Sequence, residues 1–266
     1  MSFQPIIPGS GLAGWSFLQS TLARQFEAFE ESAPVQRATD YFVENIGAVS
    51  SASDLVQDRR LLEVALGAFG LGEDINNKYF IEKVLSEGTI AEDALANKLT
   101  DSRYKEMAQA FAFDTLSPTG QTSFAQEIIE KYERRSFEVA VGEQNETFRL
   151  GLNLERELPE IASSRDANDT KWLRILGNPA LRAVFETAFG LPSQFGQVDL
   201  DQQLGVFKEN AERRFGTDEI SDFGSPDRLE ELTQLYFLQD QIKASSGLDA
   251  GSVALTLLQS AGQTQL

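Results

Sequence analysis

The stretch Asp58-Arg59-Arg60-Leu61-Leu62-Glu63-Val64-Ala65-Leu66-Gly67-Ala68-Phe69-Gly70 decides the fold class. Leu61, Leu62, Ala65, Leu66, Ala68 and Phe69 recur at the spacings that put side chains on one broad face of an α-helix. Asp58 stands at or just inside its start, and Gly70 is placed as a left-handed C-cap. No other part of the chain shows an alternating pattern long enough for a sheet, so the chain reads as all-α with almost no strand.

Working upstream, Leu18, Leu22, Phe26 and Phe29 step along one helical face, Ser32-Ala33-Pro34 interrupts it, and a second helix carries Tyr41, Phe42 and Ile46. Downstream, Ile75 to Leu85 and Ile90 to Leu99 read as helical, and Asp101 or Ser102 can cap a helix running to Phe113. Leu116-Ser117-Pro118-Thr119-Gly120 is the clearest linker. One long helical stretch runs from Phe124 to about Pro159, then a polar loop at 163–170. Trp172 to Phe189 is helical, with Asn178 and Pro179 as cap and first-turn residue of a new helix. Val198 to Phe215 and Leu229 to Ile242 complete the helices. Residues 1–11, marked by Pro and Gly, read as a flexible arm, and residues 246–266 as a mobile tail.

The chain also resembles itself. Ala68-Phe69-Gly70-Leu71 recurs as Ala188-Phe189-Gly190-Leu191, and the helix Arg103 to Phe111 aligns with Arg228 to Tyr236. Two ordered anchors per half predict an internally duplicated, multi-helix bundle-like fold, with residues 12–116 and 121–245 as halves related by a pseudo-twofold.

Composition narrows the chemistry. Among 266 residues there is no Cys and no His, which removes thiolate nucleophiles, disulfides, Cys/His zinc sites, haem ligation by His or Cys, and imidazole acid–base catalysis. Lys+Arg is 23 and Asp+Glu is 41, a net charge of −18. Such a surface repels nucleic acid and anionic lipid, and favours a basic face on a protein partner. The N-terminus has neither the charge nor the apolar run of a cleaved secretory signal, and no apolar stretch approaches the ~20 residues that span a bilayer. The expectation is synthesis in the cytoplasm, with any export occurring without a cleaved signal, and no membrane insertion.

Motifs that could carry chemistry are few. Gly9, Gly11 and Gly14 match G-x-G-x-x-G but lack the flanking strand that gives it meaning, so they read as part of the arm. Ser102 and Lys105 match S-x-x-K without its partner motifs, and read as a helix cap and a solvated lysine. Asp199-Leu200-Asp201 fails as a calcium loop because Leu204 stands where Gly is needed, whereas Asp218, Glu219, Asp222 and Asp227, near Gly216 and Gly224, read as a weak surface ion site or, more often, as helix-capping acids. No catalytic, metal or cofactor-binding residue is expected. Of the 19 Phe, Phe113, Phe195 and Phe223 lie near predicted loops and are the candidate protein-contact aromatics.

Asp54-Leu55-Val56-Gln57-Asp58-Arg59-Arg60-Leu61-Leu62, Ala68 to Leu71, and Asn97-Lys98-Leu99-Thr100-Asp101-Ser102-Arg103-Tyr104 together resemble the bacterial family labelled domain of unknown function 1217. The likeness extends over about residues 18–245, and its motifs carry no known catalytic residue. It implies an all-helical protein associated with flagellar assembly or function, because genes of that family often lie among flagellar genes. The expected function is therefore that of a non-enzymatic, flagellum-associated protein acting through protein contacts. The alternatives are a cytoplasmic helical adaptor or chaperone, and a carboxylate- or metal-dependent enzyme.

Overall fold

Asp58 caps a helix because its Oδ1 accepts hydrogen bonds from the Arg60 and Leu61 amides at 2.9 and 3.1 Å. That helix ends where Gly70 turns to φ +70°, and the Leu71 amide closes back on the Leu66 carbonyl at 2.8 Å. In the second half of the chain, Asn178 Oδ1 accepts from the Ala180 and Leu181 amides, Gly190 adopts φ +68°, and the Leu191 amide reaches the Glu186 carbonyl at 2.8 Å. The resemblance between the two segments thus extends to caps and turns. It does not extend to the lengths of the helices after each glycine.

The computed structural model describes residues 3–262, and among them the chain is all-α, without a strand. Its helices are α1 (Gly11–Glu30), α2 (Ala33–Asn45), α3 (Ala52–Gln57), α4 (Arg59–Ala68), α5 (Lys78–Glu87), α6 (Leu95–Lys98), α7 (Ser102–Phe111), α8 (Thr122–Gly142), α9 (Glu146–Ser163), α10 (Asn168–Gly177), α11 (Pro179–Ala188), α12 (Leu200–Phe215) and α13 (Pro226–Gly262). Short 3-10 segments connect them at Ile46–Ala48, Gly72–Asn76, Ser193–Gln197 and Ile220–Gly224. No helix among the described residues is long and apolar enough to cross a membrane.

Buried side chains form two separate hydrophobic cores. The first gathers α2 to α7 with the start of α8, around Phe42, Leu55, Leu62, Leu66, Phe69, Leu85, Phe111 and Ile128. The second gathers α1, Val35 at the start of α2, the end of α8 and α9 to α13, around Trp15, Leu18, Phe148, Trp172, Phe185, Phe207 and Phe237. The cores are therefore not bounded by the divisions at 12–116 and 121–245. The amphipathic face of α1 lies on the second core: the Trp15 ring sits 4.8 Å from Phe237 and 6.0 Å from Phe148.

Several local expectations change. The stretch from Phe124 to Pro159 is two helices, because Asn145 caps α9 by accepting from the Phe148 amide. Helix α9 then runs through Pro159 to Ser163. Proline inside a helix costs about 3 kcal/mol, and the burial of Leu158 and Ile161 around it offsets that cost. Between Gly88 and Ala94 the backbone forms turns, not helix. They are held by Asn97 Nδ2 donating to the Thr89 and Ala91 carbonyls and by the Leu95 amide donating to Glu87.

The arm is tied down where a flexible one was expected. Gln25 exchanges hydrogen bonds with the Ile6 backbone at 2.7 and 3.1 Å, and Phe3 packs edge-on to Phe29 at 5.5 Å. Where a mobile tail was expected from residue 246, α13 continues to Gly262, and residues 263–266 lie outside the described residues.

Phe185 sits at the centre of the second core, with its ring 5.5 to 6.4 Å from those of Trp172, Phe189, Phe207 and Phe223. Phe185→Ala is expected to lower stability by about 3–5 kcal/mol, with Phe185→Leu costing much less. Urea unfolding of the three proteins measures the difference.

Candidate functional site

Helix α8 is a long strut that serves both cores. Its first turns bury Phe124, Ala125 and Ile128 in the first core, and its last bury Phe137 and Val141 in the second. At the crossing the helix presents Arg135, whose side chain is only 12% exposed. A guanidinium taken out of water costs several kcal/mol unless its donors are met by acceptors.

They are met from α9, which returns alongside α8 after a short turn. Arg135 Nη2 donates to Glu157 Oε1 at 2.7 Å. The neighbouring Arg156 donates through Nε and Nη2 to the two oxygens of Glu138 at 2.7 and 2.8 Å, and through Nη1 to Glu157. The result is an alternating chain of charge, Arg135–Glu157–Arg156–Glu138, with side chains between 7 and 15% exposed. Burial opposes the charge on Glu157, yet Arg135 and Arg156 together hold its carboxyl below the usual range.

Other charges converge on the same place. A Cβ on Gly70 would lie 3.1 Å from Arg135 Nη1 and 3.4 Å from Arg103 Nη1. Two guanidinium groups thus crowd the C-terminus of α4, where the helix carbonyls favour cations. Arg103 donates there to the Gly70 carbonyl and is itself gripped by Asp101 at 2.6 Å. On α7, burial and then the charge of Glu157 push the Glu106 carboxyl above its ordinary value, against the pull of Arg135 and Arg174.

Above this lattice is a cleft of about 420 Å³ lined by Phe26 and Glu30 of α1, Glu127, Glu130, Lys131, Arg134 and Arg135 of α8, and Arg156 and Glu160 of α9. Its cations are engaged. Lys131 pairs with Glu127 at 2.8 Å, Arg135 and Arg156 belong to the lattice, and Arg134 lies over the Phe26 ring at 5.8 Å. Glu30, Glu130 and Glu160 carry carboxylates that make no ion pair within 4 Å among the described residues. Beside them, burial and then the charges of Glu30 and Glu130 push Glu133 up to about 7. What the arrangement can do is accept positive charge.

The residues singled out from sequence lie elsewhere. Phe195 and Phe223 are buried rather than presented to a partner: Phe195 stacks on Phe207 at 5.7 Å, and Phe223 meets Phe215 edge-on at 5.1 Å. The reason is that short 3-10 segments fold each of them inward to close the second core. Phe113 is half-buried beside Phe111 at 5.6 Å.

Gly9, Gly11 and Gly14 lie at the start of α1, where a Cβ on Gly14 would sit 2.8 Å from the Phe148 ring, so close packing accounts for that glycine. Asp101, not Ser102, caps α7, and Lys105 is exposed. Asp199 caps α12, Asp218 pairs with Lys208 at 3.2 Å, and Asp222 accepts from Thr217 at 2.7 Å. In the sequence the lattice shows only as the neighbours Arg134-Arg135 on α8 and Arg156-Glu157 on α9. The spacing gives no sign that Arg135 turns inward, because its partner lies 22 residues away.

Comparison with known proteins places this architecture. Residues 68–229 match the family described as "Protein of unknown function (DUF1217)". A crystal structure of a protein from Agrobacterium tumefaciens is similar over 90% of this chain and 99% of its own, with a TM-score of 0.73 and 29% sequence identity. No curated protein matches.

Two outcomes are expected at the site. Glu133 binds its proton more tightly in the folded chain than unfolded, so its contribution to stability is present at low pH and is lost as pH rises from about 4.5 through about 7. For a half-exposed group screened by solvent this amounts to roughly 1 kcal/mol or less. Thermal unfolding at pH 5 and pH 8 should show Glu133→Gln gaining on the wild-type chain at the higher pH. Arg156→Met, which strands Glu138, is expected to cost about 3–5 kcal/mol, and Arg156→Met with Glu138→Met much less, measured by urea unfolding.

Proposed function

For this chain, which belongs to the DUF1217 family, we propose a non-enzymatic role in flagellar assembly or function, exercised through contacts with a protein that presents a basic surface. The observation that carries the reading is the cleft between α1, α8 and α9. Lys131, Arg135 and Arg156 are paired with carboxylates of the chain; Glu130 and Glu160 are exposed and make no ion pair within 4 Å among the described residues, and half-buried Glu30 has only the charge of Arg134 nearby. Charge complementarity of this kind steers a basic partner and fixes its register more than it adds affinity. The net charge of −18 acts in the same direction at longer range. Phe26 supplies an apolar wall against which the alkyl stem of a lysine or arginine can lie. Association with the flagellum comes from the family resemblance. The geometry of the cleft supports the choice of a basic partner.

The lattice below the cleft supports a structural role for its charges. Arg135, Arg156, Glu138 and Glu157 satisfy one another, which ties α8 to α9, the two helices that carry Glu130 and Glu160.

The test is fractionation of the tagged chain from motile cells and from a strain lacking flagellar export, alongside Glu30→Gln/Glu130→Gln/Glu160→Gln. The wild-type chain is expected with flagellar material only in the export-competent strain, and the triple variant is expected to be depleted there. A wild-type chain that stays with the cytoplasm in both strains overturns the flagellar reading in favour of the helical adaptor. A triple variant that fractionates as wild type overturns the cleft as the contact surface.

A further inference from the structure

Among the described residues, the two cores share no buried apolar side chain. Two elements pass from one to the other: α2, whose Val35 is buried with the second core and whose Phe42 is buried with the first, and α8. Along α8, what lies at the level where one core gives way to the other is ionic. Arg135 and Glu138 stand on α8, Arg156 and Glu157 on α9, Arg103 and Glu106 on α7, and Arg174 on α10. Apolar packing is short-ranged, non-directional and continuous, and makes a core unfold as one body. An ion pair is directional and has few alternatives once its partner is removed, since the remaining charge draws water in. A helix that passes from one packed body to another, with a charged residue at the crossing, has its least protected turn at that crossing.

We propose that the turn of α8 around Arg135 is a hinge, and that the two cores are separate cooperative units whose relative position is set by the Arg135–Glu157 pair. The hinge is inferred from the packing and not from the protein-contact reading, but the two meet in one place. Arg135 and Arg156 form the floor of the cleft, while Phe26 and Glu30 on α1 ride with the second core and Glu127 lies beside the Ile128 that anchors the first. Motion about the hinge therefore changes the width of the cleft. A partner that binds one width selects one arrangement of the cores.

The chain has no cysteine, so pairs of introduced thiols can be spin-labelled cleanly. Tyr79 on α5 is 81% exposed and marks the first core, and Leu173 on α10 is 39% exposed and marks the second. Pulsed dipolar spectroscopy on Tyr79→Cys/Leu173→Cys should give one narrow distance distribution. The same pair carrying Glu157→Gln should give a broader distribution or a second population. An unchanged distribution in a folded Glu157→Gln protein overturns the hinge.

The independence of the cores is read by hydrogen exchange on the full-length protein. Leu62→Ala, in the first core, should speed exchange at least tenfold in α4 and leave α11 at its wild-type rate. Val184→Ala, in the second core, should do the reverse. Equal acceleration of α4 and α11 by either variant means a single cooperative unit and overturns the proposal.

Discussion

The ion pair between Arg135 and Glu157 is the constraint on which the arrangement of this protein depends. A helix of 21 residues, α8, has to serve two hydrophobic cores that share no buried side chain among the described residues. Somewhere along it the apolar stripe must change sides, and the residue at that change cannot be satisfied by either core. Arginine suits the position because its long stem packs while its planar head still reaches an acceptor on the neighbouring helix. One side of that head donates to the carboxylate of Glu157 on α9, and the other lies beside Gly70 at the end of α4, whose carbonyl accepts from Arg103. The glycine at that corner does two jobs, since it supplies the positive φ that ends α4 and leaves room for the guanidinium groups beside it.

The cores themselves are built differently. The first is assembled from short helices and turns, and its irregular segments are held by side chains such as Asn97 and Thr119, the latter donating to the Val49 carbonyl at 2.7 Å. The second is a mesh of rings in which Trp172, Phe185, Phe189, Phe195, Phe207 and Phe223 meet in edge-on and stacked pairs. Edge-to-face contacts add to the area that each ring buries. The abundance of phenylalanine is accounted for largely in this way, without any need for an exposed aromatic patch.

Charge is distributed by the same logic. The cleft is lined by as many carboxylates as cations, but Arg135 and Arg156 are committed to Glu157 and Glu138 beneath it, which leaves the rim with a surplus of acid. The surplus appears where helices converge and water is partly excluded, which is why the carboxyl of Glu133 is pushed toward neutrality.

The sequence determined the helical class, the caps at Asp58 and Asn178 and the glycine ends at Gly70 and Gly190, because each depends on residues within a few positions of one another. It also determined what chemistry is out of reach, since a chain without histidine or cysteine cannot acquire their reactions by folding. Tertiary structure decided which helices share a core. The faces of α1 and α8 show in the sequence that they are apolar, not what they face, and α1 proved to belong with helices far along the chain. It decided that Phe195 and Phe223 turn inward, where loop-like flanks had suggested exposure. And it decided that the side chain of Arg135 is largely withdrawn from water while Arg134, its neighbour, is exposed, because burial is a property of the opposing helix and not of the residue.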